Sequence, residues 1–296
     1  MPLALIVHGG AGAIPPHRRA AAQAGCAAAA QSGWDILRQG GTALDAVTAA
    51  VTALEDDPTF NAGTGAVLTK EGHAELDAGI MDGATLNVGA VAGVRQVKNP
   101  IMLARHVLAL PQVLLLGEGA EALAAAMGMP FVSPQHFIDA YRRAPSQPLS
   151  DAEIASLQAE GKHGTVGAVA LDAQGHIVAA ASTGGVANKP VGRVGDTPIA
   201  GAGFYAEDGV GGVSCTGQGE AFIRLAVARR VCEALEQGAG AQTAADRIIT
   251  LLGARIAGEG GLIAIDASGR IGFARNTTAM SYAYCTEGME APIAGI

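Results

Sequence analysis

Residues 164–180 read GTVGAVALDAQGHIVAA, and residues 262–273 follow the same pattern with LIAIDASGRIGF. Each stretch has an aliphatic run, an Asp-x-x-Gly turn and a second run, which is typical of a β-hairpin. Gly175 and Gly269 stand where the turns need conformational freedom. The chain therefore centres on β-hairpins with buried strands, and it lacks the regular strand–helix alternation of a parallel sheet.

The sequence on either side of the first hairpin supplies further strands and a set of helices. Leu3 to Val7 predicts a strand that enters a tight turn at residues 8–12, HGGAG. Two helices follow, the first of them alanine-rich, and Thr42 is the predicted N-cap of the second. With these elements, the pattern predicts an α+β fold, an αββα four-layer sandwich. The expected strands are 66–69, 75–81, 87–94 and 212–217, and the expected helices are 18–39, 42–55, one after Pro100, 120–127 and 219–236.

Residues 130–164 have a different character from the rest of the chain. Pro134, Pro145 and Pro148 interrupt weak periodicity up to about residue 162, and strand-like sequence restarts at Thr165. Connections of this length are usually functional or disordered. We expect one domain over residues 1–296, with a surface linker at about 130–164.

Composition restricts the classes of function. Hydrophobic residues make up 49% of the 296 residues and charged residues 16%, which argues against disorder. The net charge of −8, with no basic run, argues against a nucleic-acid partner. No segment resembles a signal peptide or a membrane span. We therefore expect a soluble cytoplasmic protein without a membrane partner, whose scattered cysteines are reduced and mostly buried: Cys26, Cys215, Cys232 and Cys285.

Several catalytic motifs are missing from the sequence. There is no HExxH zinc signature, no G-x-S-x-G elbow and no P-loop. Residues 216–220, TGQGE, carry a G-x-G at a strand-to-helix turn, but Phe222 replaces the third glycine of a dinucleotide site. Such a turn can also present main-chain N–H groups to an oxyanion, or be an ordinary tight turn.

Gly164 and Thr165 follow the linker directly. A threonine hydroxyl needs a base to become a nucleophile, and cleavage before Thr165 would free an α-amine able to act as one. The alternative is a threonine that merely begins a strand. Arg193 and Asp196 lie in a glycine-flanked loop and suit the α-carboxylate and α-amine of an amino acid, although a surface salt bridge is the alternative.

These residues, in this order, resemble the plant-type (class 2) L-asparaginase/isoaspartyl peptidase family of N-terminal-nucleophile (Ntn) hydrolases. The resemblance extends over nearly the whole chain. It rests on HGGAG at 8–12, FNAG at 60–63, AGIMDG at 78–83, GTVG at 164–167, STGG at 182–185, GRVGD at 192–196, SCTG at 214–217 and GGLIAI at 260–265.

The resemblance implies a role for each matching residue. The chain would cut itself between Gly164 and Thr165, and Thr165 would be the nucleophile. Asn61 would order its surroundings and contribute to substrate binding. The other implied catalytic residues are Thr183, Thr216 and Gly217, the implied substrate-binding residues are Arg193, Asp196 and Gly217 together with Asn61, and a structural sodium ion would be bound by the main-chain carbonyls of Leu54, Glu55, Asp57, Phe60, Ala62 and Thr64.

The resemblance also implies an assembly and a reaction. Two cleaved protomers, each made of residues 1–164 and 165–296, would form a homodimer, and no catalytic cofactor would be needed. The substrate would be L-asparagine, a β-aspartyl dipeptide or both. Self-cleavage must use a base other than the α-amine, which is still part of the peptide bond at that stage, and the sequence does not identify it.

Two alternative functions remain open. A glycosylasparaginase-like amidase shares the chemistry but typically has aspartate where Gly164 stands, and a non-catalytic amino-acid-binding relative could keep the fold. A nucleotide-binding enzyme is a weaker third alternative. Ala187, Pro190-Val191 and residues 276–280, NTTAM, depart from common family patterns. These departures leave the preferred leaving group open.

Overall fold

A computed structural model of the chain describes residues 1–138 and 164–296. The helices and strands form a mixed α and β structure around two β-sheets. Of the predicted linker, residues 130–138 and 164 are described and residues 139–163 lie outside the described residues. No helix in the described part has both the length and the apolar character to span a membrane.

The larger sheet has eight strands in the order β12-β11-β1-β5-β6-β2-β3-β4, and the smaller has four in the order β10-β9-β8-β7. All neighbours are antiparallel except β3 and β4. The strands are β1 Ala4–Gly12, β2 Leu76–Asp82, β3 Val88–Val94, β4 Leu114–Leu116, β5 Thr165–Leu171, β6 Ile177–Thr183, β7 Phe204–Glu207, β8 Gly211–Gly217, β9 Gly260–Asp266, β10 Ile271–Arg275, β11 Ala279–Thr286 and β12 Ile293–Gly295.

In the described part of the chain, the helices all come after β1 and before β9. Thr42 caps the second helix by accepting a hydrogen bond from the Asp45 main-chain N–H, which confirms the predicted cap. Among the described residues, the helices with both ends described are α1 Pro16–Arg38, α2 Ala43–Asp56, α3 Pro100–Val107, α4 Gly117–Ala126, α5 Gly219–Leu225, α6 Val227–Glu236 and α7 Ala241–Ile256, with a 3₁₀ turn at Gly63–Gly65. Residues 135–138 are helical as well.

Both predicted hairpins are confirmed. β5 pairs with β6 from Thr165 opposite Thr183 to Leu171 opposite Ile177, and β9 pairs with β10 in the smaller sheet. Their turn glycines, Gly175 and Gly269, adopt φ values of +89° and +78°, in the region that favours glycine. The first hairpin is buried at every residue of both strands.

Three buried clusters surround the sheets. Alternate residues of β1 belong to different clusters: the cluster of Val7 includes residues of helices α1 to α3, whereas that of Ile6 includes residues of the smaller sheet such as Phe204. The third cluster joins Phe222, Val231 and other residues of α5 to α7 to the outer face of the smaller sheet. Residues of both sheets therefore share one cluster, and the other two clusters each combine helices with one sheet.

Three sequence-based boundaries are wrong. β1 continues through the glycines to Gly12, with a register shift between His8 and Ala11 instead of a tight turn. Residues 66–69 form no strand, because the Val67 N–H bonds to the Asn61 side chain and the Thr69 N–H closes a turn. The helix expected over 219–236 breaks at Ala226, whose φ is +50°.

Candidate active site

Thr165 is the first residue of β5 and lies opposite Thr183 on β6, in the interior of the larger sheet. The Thr183 hydroxyl donates a hydrogen bond to the carbonyl oxygen of Gly164 at 3.1 Å. It also accepts one from the Gly185 N–H at 2.9 Å, which fixes its orientation. The carbonyl of the peptide bond before Thr165 therefore has a positioned donor.

The other end of the same peptide bond faces the smaller sheet. The Thr165 main-chain N–H donates to the hydroxyl of Thr216 on β8 at 3.3 Å, and the Ala11 N–H donates to the same oxygen at 3.3 Å. Gly217 follows with φ +152°, and a Cβ there would lie 2.6 Å from the Gly260 Cα. Only glycine fits so close to β9 at this position.

The hydroxyl of Thr165 has one hydrogen-bonding neighbour among the residues that the structure describes. This neighbour is the hydroxyl of Thr197, with the two oxygens 3.4 Å apart. Thr165, Thr183, Thr197 and Thr216 are all buried. Four hydroxyl side chains from three strands and one loop thus surround a single peptide bond.

Arg193 is bound to Glu220. The guanidinium donates from Nε and Nη2 to the two carboxylate oxygens of Glu220, each at 2.9 Å. The Arg193 side chain is 14% exposed, whereas that of Glu220 is 65% exposed, so the pair lies at the rim of the site. Glu220 uses the Nε side of the guanidinium, and Nη1 belongs to its other edge.

Asp196 lies deeper than Arg193. Its carboxylate is buried, and Oδ2 has no hydrogen-bond partner among the described residues. Burial raises the pKa of Asp196 to about 7. A Cβ on Gly219 would lie 3.0 Å from both Arg193 Nη2 and Asp196 Oδ1, so the cation and the anion lie on one side of that glycine. Asp196 directly precedes Thr197 in the chain, which connects this pair to Thr165.

Asn61 braces the turn that follows Thr183. Its side-chain N–H donates to the Gly185 carbonyl at 2.6 Å, and its side-chain oxygen accepts from the Val67 N–H at 2.9 Å. A Cβ on Gly164 would lie 3.0 Å from the Asn61 Cβ. Asn61 therefore lies directly beside the Gly164–Thr165 bond.

A family model described as Asparaginase matches residues 1–293 of the chain. The chain belongs to this asparaginase family. It is 47% identical over 308 aligned positions to a plant-type L-asparaginase of Pyrococcus horikoshii, with 99% of this chain and 100% of that protein covered. It is 43% identical to an isoaspartyl peptidase/L-asparaginase of Macaca fascicularis and 42% identical to one of Homo sapiens, each covering 97% of this chain and 94% of the relative.

Asparaginase-family enzymes need no catalytic cofactor, since the nucleophile and the donors come from the chain. In the part of the chain that the structure describes, no group of three or more His, Cys, Asp and Glu side chains converges in a way that could hold a metal ion.

Two residues beside this candidate site are not predicted by the sequence. Thr197 contacts the Thr165 hydroxyl, and its position directly after Asp196 is the sequence feature that could indicate its place in the site. Glu220 binds one edge of Arg193, but no sequence motif predicts that the last residue of the TGQGE turn reaches the Arg193 loop.

His8 lies behind the site. Its Nε2 is 3.0 Å from the Ser214 hydroxyl, and Ser214 donates to the Ala180 carbonyl at 2.9 Å. A Cβ on Gly167 would lie 2.6 Å from His8 Nε2, so that glycine makes room for the ring. Burial lowers the pKa of His8 to about 3, and the ring is therefore neutral near pH 7.

Proposed function

We propose that this chain cuts itself between Gly164 and Thr165 and then hydrolyses L-asparagine and β-aspartyl dipeptides. The proposal rests on the hydrogen bonds at both ends of the Gly164–Thr165 peptide bond. The Thr183 hydroxyl donates to the Gly164 carbonyl oxygen, and the Thr165 N–H donates to the Thr216 hydroxyl. The printed names of the relatives, L-asparaginase and isoaspartyl peptidase, support the choice of substrates.

In the self-cleavage step, the Thr165 hydroxyl oxygen would attack the carbonyl carbon of Gly164. A base other than the Thr165 nitrogen takes the hydroxyl proton, a proton is delivered to that nitrogen as the C–N bond breaks, and an ester to the Thr165 oxygen remains. Water then hydrolyses the ester and leaves a Gly164 carboxylate and a free α-amine. The Thr183 hydroxyl would stabilise the developing oxyanion, because it already bonds to the oxygen on which the charge appears.

In the mature enzyme, the α-amine of Thr165 would accept the proton from its own hydroxyl while that hydroxyl attacks the side-chain amide of the substrate. Ammonia or an amino acid leaves, and water releases aspartate. Thr216 and Gly217 would stabilise the oxyanion of this second reaction. The contact between the Thr165 nitrogen and the Thr216 hydroxyl supports a role for Thr216 beside the new amine.

The Arg193 and Asp196 pair supports the recognition of an α-amino acid. A buried carboxylate oxygen without a partner is costly, and a substrate ammonium group would offset that cost. The edge of Arg193 that carries Nη1 would bind the α-carboxylate while Glu220 holds the Nε side. Asn61 would keep the turn at Gly185 in place beside the nucleophile.

The same proposal includes the finer description of the fold. The three buried clusters support one domain of the αββα four-layer type found in Ntn hydrolases, cut into residues 1–164 and 165–296. A homodimer of such cleaved protomers belongs to the proposal as well. A cytoplasmic location is supported by four cysteines that are all free and buried, since disulfides form mainly in oxidising compartments.

A structural sodium ion would bind the main-chain carbonyls of Leu54, Glu55, Asp57, Phe60, Ala62 and Thr64. The chain between α2 and the 3₁₀ turn supports this, because it places two of these carbonyls against the turn: a Cβ on Gly63 would lie 2.5 Å from the Glu55 carbonyl oxygen, and one on Gly65 would overlap the Phe60 carbonyl oxygen. The Asp57 and Ala62 carbonyls accept one hydrogen bond each, and each carbonyl keeps a second lone pair. Hard oxygen donors of this kind fit an alkali cation.

The test is the intact mass of purified protein over several days, followed by assays of ammonia from asparagine and of aspartate from a β-aspartyl dipeptide. Two fragments that meet between Gly164 and Thr165, with turnover of either substrate, are expected. Thr165→Ala should remain one inactive chain. Cleavage of that variant would contradict the nucleophile assignment, and strong turnover of a glycosylated asparagine would favour the glycosylasparaginase alternative. Aspartate binding without cleavage would favour a non-catalytic binder.

A further inference from the structure

A lysine is buried in the interior beside the active site. Lys189 is 1% exposed, and its Nζ donates to the main-chain carbonyl of Glu75 at 2.8 Å. Burial lowers the pKa of Lys189, and the nearby carboxylates of Asp77 and Glu75 oppose that shift. Burying an ammonium group costs free energy unless the group is paired, and here the Glu75 carbonyl and the two carboxylates are its partners. The reaction proposed above makes no use of it.

Lys189 packs against the turn that orients Thr183. A Cβ on Gly185 would lie 2.9 Å from both Cδ and Nζ of Lys189, so the lysine lies directly against the Gly185 Cα. The Gly185 N–H in turn bonds to the Thr183 hydroxyl. Asp77, whose charge acts on Lys189, lies opposite Thr183 in the sheet. Lys189 therefore contacts the turn whose N–H group fixes the Thr183 hydroxyl.

Glu75 connects Lys189 to the loop of Arg193. Its carbonyl accepts from Lys189, and its carboxylate Oε2 accepts from the Gly192 N–H at 2.9 Å. The other carboxylate oxygen, Oε1, accepts from Arg95 at 2.6 Å, which holds the side chain in place. Gly192 immediately precedes Arg193 and adopts φ +81°, where other residues are strained. The carboxylate thus fixes the backbone from which the Arg193 side chain extends.

We propose that Lys189 and Glu75 are positioning residues that hold the Arg193 loop at a fixed distance from the Thr183 turn, and so set the affinity for the α-carboxylate of the substrate. The inference rests on the proposed function, because it takes Arg193 as the residue that binds that carboxylate. Neither residue needs to touch the substrate. A displacement of about 1 Å in such a supporting contact can change a rate or an affinity by about a hundredfold.

The test replaces Glu75 by glutamine, which keeps its size but removes the charge that binds the Gly192 N–H and Arg95. The matched control is Asp266→Asn, because the buried Asp266 carboxylate also accepts from a main-chain N–H, that of Ser268 at 2.9 Å, and from an arginine, Arg270 Nε at 2.8 Å, but lies at the end of β9 in the turn of the second hairpin. Each protein is assayed with asparagine and with 3-aminopropanamide, which is asparagine without its α-carboxylate. Melting temperature and the fraction of cleaved chain are measured in parallel.

We expect Glu75→Gln to raise the KM for asparagine about tenfold at nearly unchanged kcat, while kcat/KM for 3-aminopropanamide changes less than twofold. Asp266→Asn should have the kinetic constants of the wild type. A merely structural role would lower the melting temperature but leave the KM unchanged, and that result would overturn the inference. If Glu75→Gln does not fold, Lys189→Met carries the same expectation. Wild-type protein that fails to hydrolyse asparagine would instead contradict the proposed function.

Discussion

Replacing Thr183 by valine removes the donor to the Gly164 carbonyl while keeping the shape of the side chain. The Thr183 hydroxyl lies 3.1 Å from that oxygen in the intact chain, within the range at which a donor stabilises an oxyanion. Loss of one such donor costs about 3 kcal/mol of transition-state stabilisation, which corresponds to self-cleavage that is about 100- to 1000-fold slower. We therefore expect Thr183→Val to accumulate as an uncut chain.

The same substitution leaves the Gly185 N–H without its acceptor, and this is expected to cost about 1–3 kcal/mol of folding free energy. A control must separate that loss from the loss of catalysis. Thr48→Val serves this purpose, because Thr48 is also buried and its hydroxyl donates to the Leu44 carbonyl within α2. Thr48→Val should cut itself at the wild-type rate.

The assay is the fraction of cleaved chain against time by intact mass, at a temperature below the melting transition of all three proteins. Cleavage of Thr183→Val within about threefold of the wild-type rate would refute the oxyanion argument, since it asks for a loss of about 3 kcal/mol. Equal slowing in Thr48→Val would show that stability alone controls the rate.

Three further outcomes are expected. The inhibition constant of aspartate for the processed enzyme should rise as pH falls below about 7, because the buried Asp196 carboxylate has a pKa near 7 and must be ionised to bind an ammonium group. An inhibition constant that stays unchanged down to about pH 5 would exclude Asp196 as the residue that binds the ammonium group. Thr197→Val should lower kcat for asparagine about tenfold or more with little change in KM, measured by ammonia release, because it removes the hydroxyl beside the nucleophile. Burial raises the pKa of Glu55 from 4.5 to about 8, so between these pH values the folded state keeps a proton that the unfolded state releases. The stability that this proton contributes is lost as pH rises from about 5 to 8, so the melting temperature of Glu55→Gln should rise relative to that of the wild type over this range. A constant difference between the two melting temperatures would contradict the argument.

Much of the fold could be predicted from local sequence. The hairpins were visible because an Asp-x-x-Gly turn between aliphatic runs is a short-range signal, and Thr42 was visible as a cap for the same reason. The continuation of β1 through its glycines was not, because its hydrogen bonds come from β11, near the other end of the chain. The break at Ala226 has no local signal, because alanine rarely adopts a positive φ, and the N–H groups just after it, of Ala228 and Arg229, bond to the distant carbonyls of Ala202 and Gly201.

The candidate site was harder to predict than the fold. The sequence pointed to Thr165, Thr183 and Thr216, which the structure brings to one peptide bond from strands of two different sheets. It could not reveal that Glu220 would bind one edge of Arg193, because their meeting depends on how the TGQGE turn packs against a distant loop. Nor could it show Lys189 as buried, since lysine is almost never fully buried unless it is paired.

The order of strands in the larger sheet has a consequence for the lifetime of the protein. β12, β11, β5 and β6 follow the Gly164–Thr165 bond in sequence, whereas β1, β2, β3 and β4 precede it, and β1 is inserted between β11 and β5. A cut at that bond leaves two fragments interlaced across one sheet, so neither can leave without breaking several ladders at once. Once such a cut protein unfolds, however, its recovery becomes a bimolecular reaction. Refolding yield would then depend on protein concentration, and at high dilution a single unfolding event would end the working life of the molecule.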